Sequence, residues 1–457
     1  MAIREESRVL LVVCLGTFFH IQSVGSISVS LAAIQQEFDT TLAAVQWIGL
    51  MGSIMLSSLS LGFGRAGDLI GRRTIFKIGI ALYTAGAGCA AFSGTFPQLL
   101  AFRCLMALGL VMAAPMAAAI IASVYGHANR GRALGFLAAS IALGRTTGPT
   151  IGGLILHLWN WRAVFLANCI FGIATCLTLF FIFKGEEERR RVSVDYWGVL
   201  SLVIGFPSLL IALTAGTRQG WDGSTIGLWL VLAAAGIASF VWRELRAATP
   251  LMNLRYFRSI PFARSMLSLV LATLAFYPVS IFGPLYLLNV IGSSPIVTGL
   301  AMATLPLCTT LFSPLSGRLA DRFNPRWVTI FGLCTIFVGV FFYAGLAEDS
   351  TFLWITLVLS ILGAGIGIFV PANEKAVFST VPSQDYGMVS AMLTSFGTGS
   401  GALGTTVAVA LAEIAKQSRL GTDAVAFAYD QQFAFTSLLP LAALAVLVTV
   451  VGRRERG

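Results

Sequence analysis

A chain of 457 residues that is 57% hydrophobic and only 11% charged, with a mean hydropathy of +0.85, is not a soluble globular protein, for in those about a quarter of residues are charged. A net charge of +10 could suit a nucleic-acid binder, but the basic residues sit in short clusters between apolar runs, so no nucleic-acid partner is expected. The seven cysteines, Cys14, Cys89, Cys104, Cys169, Cys176, Cys308 and Cys334, all lie inside apolar runs without a CxxC pair; they read as packing residues, and no disulfide and no metal site is expected.

The apolar runs are about 20 residues long, enough to cross a hydrocarbon core of roughly 30 Å as a helix. Fourteen transmembrane helices are predicted, near 9–31, 43–64, 75–93, 98–123, 133–156, 163–183, 197–215, 226–243, 264–288, 297–317, 327–346, 352–372, 389–412 and 434–452. The first follows Arg4 and Arg8 and is too long for the core of a cleaved signal, so it is expected to be retained. It carries His20, Gln22 and Ser23. Gly62 to Gly67 spells G-x-G-x-x-G at the end of the second span, where the strand and helix of a dinucleotide site are missing.

Next comes GRAGDLIGRR, Gly64 to Arg73, in which Asp68 is flanked by Arg65, Arg72 and Arg73. The carboxylate is either a charge latch that exchanges partners between two states or a surface ion pair worth about 0–1 kcal/mol. GRLADRFNPR, Gly317 to Arg326, repeats the pattern 253 residues later, each copy following the second span of its half. Two homologous halves follow from this, at 1–192 and 261–457, with two extra spans in a link at 193–260. Arg103 lies inside the fourth span, where an ionisable side chain either serves function or snorkels to an interface.

The fifth span, GFLAASIALGRTTGPTIGG from Gly135 to Gly153, places Gly144, Gly148 and Gly152 on one helix stripe where another backbone can approach closely. Pro149 leaves the Arg145 carbonyl without its intrahelical donor, and Arg145 is a second cation within a span. The stretch is a hinge seam or an ordinary small-residue packing face. Lys and Arg gather at alternate helix ends, leaving only Arg162, Arg218, Lys416 and Arg419 opposite, which puts both termini in the cytoplasm.

The spacing G-x8-G-x3-G-P-x2-G-G, met by Gly135, Gly144, Gly148, Pro149, Gly152 and Gly153, resembles the antiporter motif in the fifth helix of drug:proton antiporters of the major facilitator superfamily. The link, with DYWGVL, QGWDG and WRELRAATPLMNLRYFRS, and WNWRAVFLANCIFG at the sixth span resemble the fourteen-helix branch of that family. The resemblance implies an all-α membrane protein with two six-helix halves and two central helices. It also implies a gating motif at Gly64, Asp68, Gly71, Arg72 and Arg73, repeated at Gly317, Asp321 and Arg322, and a proton-transfer role for Arg103. Met106 and Ala107 stand where the family usually has Gln and Gly. In the first helix, Ser23 stands in place of the family's acid, Ser28 in place of Asn and Ala32 in place of Pro.

His20 is then either a substitute proton carrier or a neutral histidine bonded to a neighbouring helix. Gln22, Tyr277, Tyr286, Asn289 and Asn373, with Phe276 and Phe282 as apolar wall, are candidates for a midplane cavity, or else interhelical contacts. No Asp or Glu falls near the middle of a predicted span, whereas Arg103 and Arg145 do, which favours a neutral or anionic cargo unless Arg145 pairs with a loop carboxylate.

The expected function is proton-coupled efflux of hydrophobic or amphipathic small molecules across the bacterial inner membrane, by a monomer that needs only the proton gradient and no cofactor. A specific organic anion or metabolite is the alternative cargo, and a transport-inactive receptor or scaffold a third reading. Walker, G-x-S-x-G and HExxH patterns are missing, so no catalytic residue and no enzyme is expected.

Overall fold

The computed structural model describes residues 2–125, 127–183, 195–219, 223–247, 251–382, 385–417 and 424–451, and the regular elements among them are all helical. In chain order these are α1 (Ala2–Glu37), α2 (Leu42–Ile70), α3 (Arg72–Ala91), α4 (Phe96–Val124), α5 (His127–Leu158), α6 (Trp161–Ile182), α7 (Tyr196–Gln219) and α8 (Ser224–Arg246), then a short 3₁₀ turn (Leu254–Arg258). The chain continues through α9 (Ile260–Phe276), α10 (Val279–Asn289), α11 (Pro295–Arg322), α12 (Pro325–Ala344), α13 (Phe352–Phe378), α14 (Tyr386–Gln417) and α15 (Ala424–Val451). Helix starts are fixed by short polar caps. Thr41, Thr95, Asn160, Asn324 and Thr351 each accept from a backbone N–H of the first turn, and Asp195 does the same for α7.

Thirteen spans among the described residues are long and apolar enough to cross a bilayer. The glycine- and threonine-rich α5 is less apolar and makes the fourteenth. Two boundaries depart from the sequence reading. The span expected at 264–288 is two helices, α9 and α10, because Pro278 lacks the N–H that would continue the ladder. The last helix begins ten residues ahead of the expected 434, which brings Asp430 and Gln431 inside it, both buried.

The helices group into two compact units, Met1–Val199 with Ser294–Ala303, and Leu200–Ser293 with Thr304–Gly457. The first unit is cored by Val9, Val12 and Val13 of α1 against Ile75, Phe76 and Ile80 of α3, Met112, Met116 and Ile120 of α4, and Leu179 of α6. Within the second, Val328 of α12 packs on Ile368 and Ala372 of α13 and Ala320 of α11. Large apolar side chains remain exposed on many helices, among them Phe180, Phe181, Trp242, Leu311, Phe331 and Leu353. A bilayer would cover such surfaces without penalty.

Both copies of the repeated motif lie at the junction of the second and third helices of their halves. In the first, α2 and α3 meet at Gly71, whose φ of 116° and ψ of 129° are open to glycine and strained for any other residue. The Gly71 N–H closes on Gly67 O at 3.0 Å, so the elbow is one residue long. Replacing Gly71 with Ala should lower unfolding stability by about 1–3 kcal/mol, measured on purified protein in detergent; an unchanged melting curve would mean that the elbow relaxes to negative φ.

Candidate functional site

The seam between α1 and α5 brings two helix backbones into direct contact. A Cβ added at Gly144 would lie 2.8 Å from Phe18 O, one at Gly148 2.5 Å from Gln22 O, and one at Gly152 2.4 Å from Ser26 Cα. All three obstacles are backbone, which cannot swing aside. On the facing helix, Gly25 abuts the Pro149 ring, with its own added Cβ 2.6 Å from Pro149 Cδ. The Ser26 hydroxyl is 3.0 Å from Gly148 O and accepts from Gln22 Nε2 at 2.6 Å, so Gln22 is spent inside the seam. Gly153 faces a different neighbour, the first turns of α11, at Pro295 O and Gly299. Gly135 meets nothing within 4 Å. Arg145 is exposed beside the seam and has no ion pair among the described residues.

A second cluster sits deeper in the first unit. Arg103, 7% exposed, donates from Nε and Nη2 to Ile48 O of α2 at 3.2 and 2.9 Å, and from Nη1 to Met106 Sδ at 3.6 Å. Met106, in place of the family's Gln, thus offers a thioether, a weak acceptor. His20 is buried with its ring centroid 4.5 Å from that of Tyr83 on α3. His20 Nε2 and Tyr83 Oη find no hydrogen-bond partner, and the Tyr83 hydroxyl lies beside Ser23 outside hydrogen-bond geometry. Ser23 donates to His20 O at 2.7 Å. Tyr83 was not among the sequence candidates; only the fold sets it beside His20.

At the junctions of the repeated motif, basic side chains cap the ends of neighbouring helices. Arg72 Nη1 donates to Ala119 O of α4, Lys77 Nζ to Phe183 O at the end of α6, and the Arg73 guanidinium lies 5.4 Å from the Phe183 ring centroid. In the second unit, Arg326, the repeat partner of Arg73, donates from Nε to Thr449 O and from Nη2 to Val450 O at the end of α15. Lys375 Nζ reaches Ala320 O in the last turns of α11. Each cation meets the negative end of a helix dipole. Arg322 is exposed, and neither Gly64 nor Gly317 has a neighbour within 4 Å of an added Cβ. The side chains of Asp68 and Asp321 lie outside the described residues.

The other cavity candidates fall at separate places in the second unit. Tyr286 is fully buried in α10 and donates to Ala347 O, while Asn289 ends that helix, half-buried. Tyr277 packs its ring against Gly401 of α14. Asn373 on α13 is 1% exposed with neither side-chain amide atom paired. Asp430 is a carboxylate buried in the first turns of α15, ahead of the span expected at 434–452 and away from the helix middle. At the link before α9, Tyr256 Oη donates to Asp385 Oδ2, and the carboxylate pushes the phenol up to about 12. Among the described residues, no group of three His, Cys, Asp or Glu side chains could hold a metal.

Residues 13–405 and, overlapping them, 265–457 match the sequence model of the Major Facilitator Superfamily. Multidrug resistance protein Stp of Mycobacterium tuberculosis is 28% identical over 89% of this chain and 75% of its own length. The tetracenomycin C resistance and export protein of Streptomyces glaucescens is 28% identical over 87% and 74%, and riboflavin transporter RibZ of Clostridioides difficile 25% identical over 88% and 87%. A bacterial homologue of the human lysosomal transporter Spinster shares the fold with a TM-score of 0.72 at 16% identity, covering 97% of this chain and 96% of that one.

Two outcomes follow from this geometry. Gly152→Val should cost about 1–3 kcal/mol or prevent folding, by overpacking against backbone, whereas Gly135→Ala should stay within about 0.5 kcal/mol of the parent; equal effects in a melting assay would remove the seam as the reason for the glycines. Tyr256→Phe should lower stability by about 0.5–1.5 kcal/mol. Because the phenol is raised in the folded state, its bond is intact below the ordinary tyrosine range and is lost only as pH climbs toward about 12. The difference between Tyr256→Phe and the parent should therefore be constant from about pH 7 to 9, and a gap that closes within that window would refute the assignment.

Proposed function

Because the chain belongs to the Major Facilitator Superfamily, and so is a multi-pass membrane transporter of small molecules, not an enzyme, we propose that it exports hydrophobic or amphipathic compounds in exchange for protons, by alternating access. Its bacterial relatives support a place in the inner membrane, and the distribution of Lys and Arg supports cytoplasmic termini. The observation that carries this reading is the α1–α5 seam. The sequence of α5 meets all six fixed positions of the antiporter motif, and three of those glycines have α1 backbone where a Cβ would go. Helices in such contact exclude water along their shared face. A transporter that exchanges substrate for protons needs a wall of this kind, so that protons do not cross without cargo. Drug resistance and export in Stp and the tetracenomycin C protein agree with it.

Proton exchange needs a carrier. Ser23 cannot serve, and Asp430, buried in the first turns of α15, is the candidate we favour. We assign the gate to the two elbow motifs, with Arg72, Arg73 and Arg326 releasing the helix ends they cap as the halves, 1–192 and 261–457, rock. The link at 193–260 contributes the two extra helices. No cofactor is required, since the gradient supplies the energy.

One observation favours the second reading, a specific organic anion or metabolite. Arg103 is buried without a carboxylate, and riboflavin transporter RibZ is among the relatives. The two readings part in inverted membrane vesicles loaded with cationic, neutral and anionic fluorescent compounds. Multidrug export predicts protonophore-sensitive movement of cationic and neutral dyes that survives Arg145→Ala. Movement of anions alone, lost in Arg145→Ala, would replace it with the anion reading, and no movement of any probe would favour a scaffold.

A further inference from the structure

The cluster around Arg103 holds more hydrogen-bond donors than acceptors, and among the described residues no ion pair neutralises its charge. A guanidinium has five N–H groups. Ile48 O takes two of those of Arg103 and the thioether of Met106 one, so two remain. Tyr83 Oη and His20 Nε2, both on residues more than nine-tenths buried, are likewise unpaired, and Arg103 lies within electrostatic reach of both. The Ser23 proton is already given to His20 O.

The helices of the first unit, α1 to α6, carry no acid in the stretches that hold these groups. The sequences of α3, α4, α5 and α6 contain neither Asp nor Glu. In α1 the acids are Glu5, Glu6 and Glu37 at the two ends, and Glu37 is held by Trp161 and Arg162. In α2 the one acid is Asp68, twenty residues along from Ile48. A buried cation without a counter-ion costs several kcal/mol in a low-dielectric interior, and a helix bundle in lipid cannot relieve it with solvent.

We infer that these buried groups bind a small inorganic monovalent anion of halide size, held by the Arg103 guanidinium, the Tyr83 hydroxyl and the His20 ring. Burial sets the size. Arg103, His20, Tyr83 and Ser23 are all at most 7% exposed, which leaves no opening for a drug-sized ligand. The ion would complete the charge balance that the family's first-helix acid supplies elsewhere and that Ser23 cannot. The inference is independent of the transport reading, because it concerns the purified protein at rest.

The test is the melting temperature of the full-length protein in detergent, at fixed ionic strength, as gluconate is replaced by chloride, bromide, nitrate or acetate. Chloride and bromide should raise it in a saturable way, by about 1–3 °C per tenfold increase above the dissociation constant, and gluconate should not. Tyr83→Phe, which keeps the ring and removes one donor, should shift the chloride midpoint upward about five- to tenfold, and Arg103→Gln should abolish the response. Identical curves in chloride and gluconate would overturn the proposal in favour of water filling the pocket. Acetate acting as well as chloride would overturn it in favour of a carboxylate of the cargo, and a chloride response unchanged in Tyr83→Phe would put the ion elsewhere. Should Arg103→Gln fail to fold, the anion series on the parent and on Tyr83→Phe still decides.

Discussion

Within a bilayer no water can meet a backbone carbonyl, so any carbonyl released from its helix must be met by the protein itself. This constraint explains the polar contacts between helices in both units. They are largely donations from a side chain on one helix to a carbonyl of another: Ser26 to Gly148, Arg103 to Ile48, Lys77 to Phe183, Thr309 to Gly363, Ser316 to Ile368, Lys375 to Ala320 and Arg326 to Thr449 and Val450. Carboxylates take little part, and the ion pair between Arg162 and Glu37 sits half-exposed at helix ends. A cation on a carbonyl costs less desolvation to separate than a buried ion pair. Bonds of this type can be broken and remade as helices slide, which a transport cycle requires.

The same constraint sets the two kinds of helix contact. Where small residues allow backbones to touch, as at Gly144, Gly148 and Gly152, packing alone supplies the attraction and a hydroxyl is enough to fix the register. Where helices end, the last turn of carbonyls is open, and a long basic side chain from the adjoining elbow closes it. Lys77 on Phe183 O and Arg326 on Thr449 O and Val450 O do this, while Arg73 lies against the Phe183 ring. The repeated Gly, Arg, Asp and Arg pattern therefore falls where a helix junction brings basic side chains to the end of a neighbouring helix.

Much of this was legible in the sequence, because the bilayer imposes a length and glycine a period. The glycines at 144, 148 and 152 were readable as a contact face from their spacing, and α5 does turn them onto α1. What was not legible is instructive. Asp430, Gln431 and Gln432 interrupt the apolar pattern, so a hydropathy reading starts the last helix after them; the structure buries the first two against neighbouring helices. The break between α9 and α10 turns on Pro278, which resembles the tolerated Pro149 in sequence but begins a new helix. Arg103 was found as a charge, yet its acceptor, Ile48 O, is a backbone atom without a sequence signature. Tyr83 was missed for the same reason, since only the fold sets it beside His20.

These particulars bear on how charge is managed when a family's acid is lost. Ser23 removes a negative charge from the first helix, and Arg103 remains. In the first unit the loss is met by donation to a carbonyl and a thioether, which satisfies part of the guanidinium's geometry but none of its net charge. A protonated His20 would place a second positive charge in the same pocket, so the first helix is poorly suited to carry the coupled proton unless an anion enters with it. Asp430, buried in α15, lies in the second unit and escapes that difficulty. Under the proposed proton coupling, the titrating group would lie outside the first unit, or the proton would travel with a counter-ion.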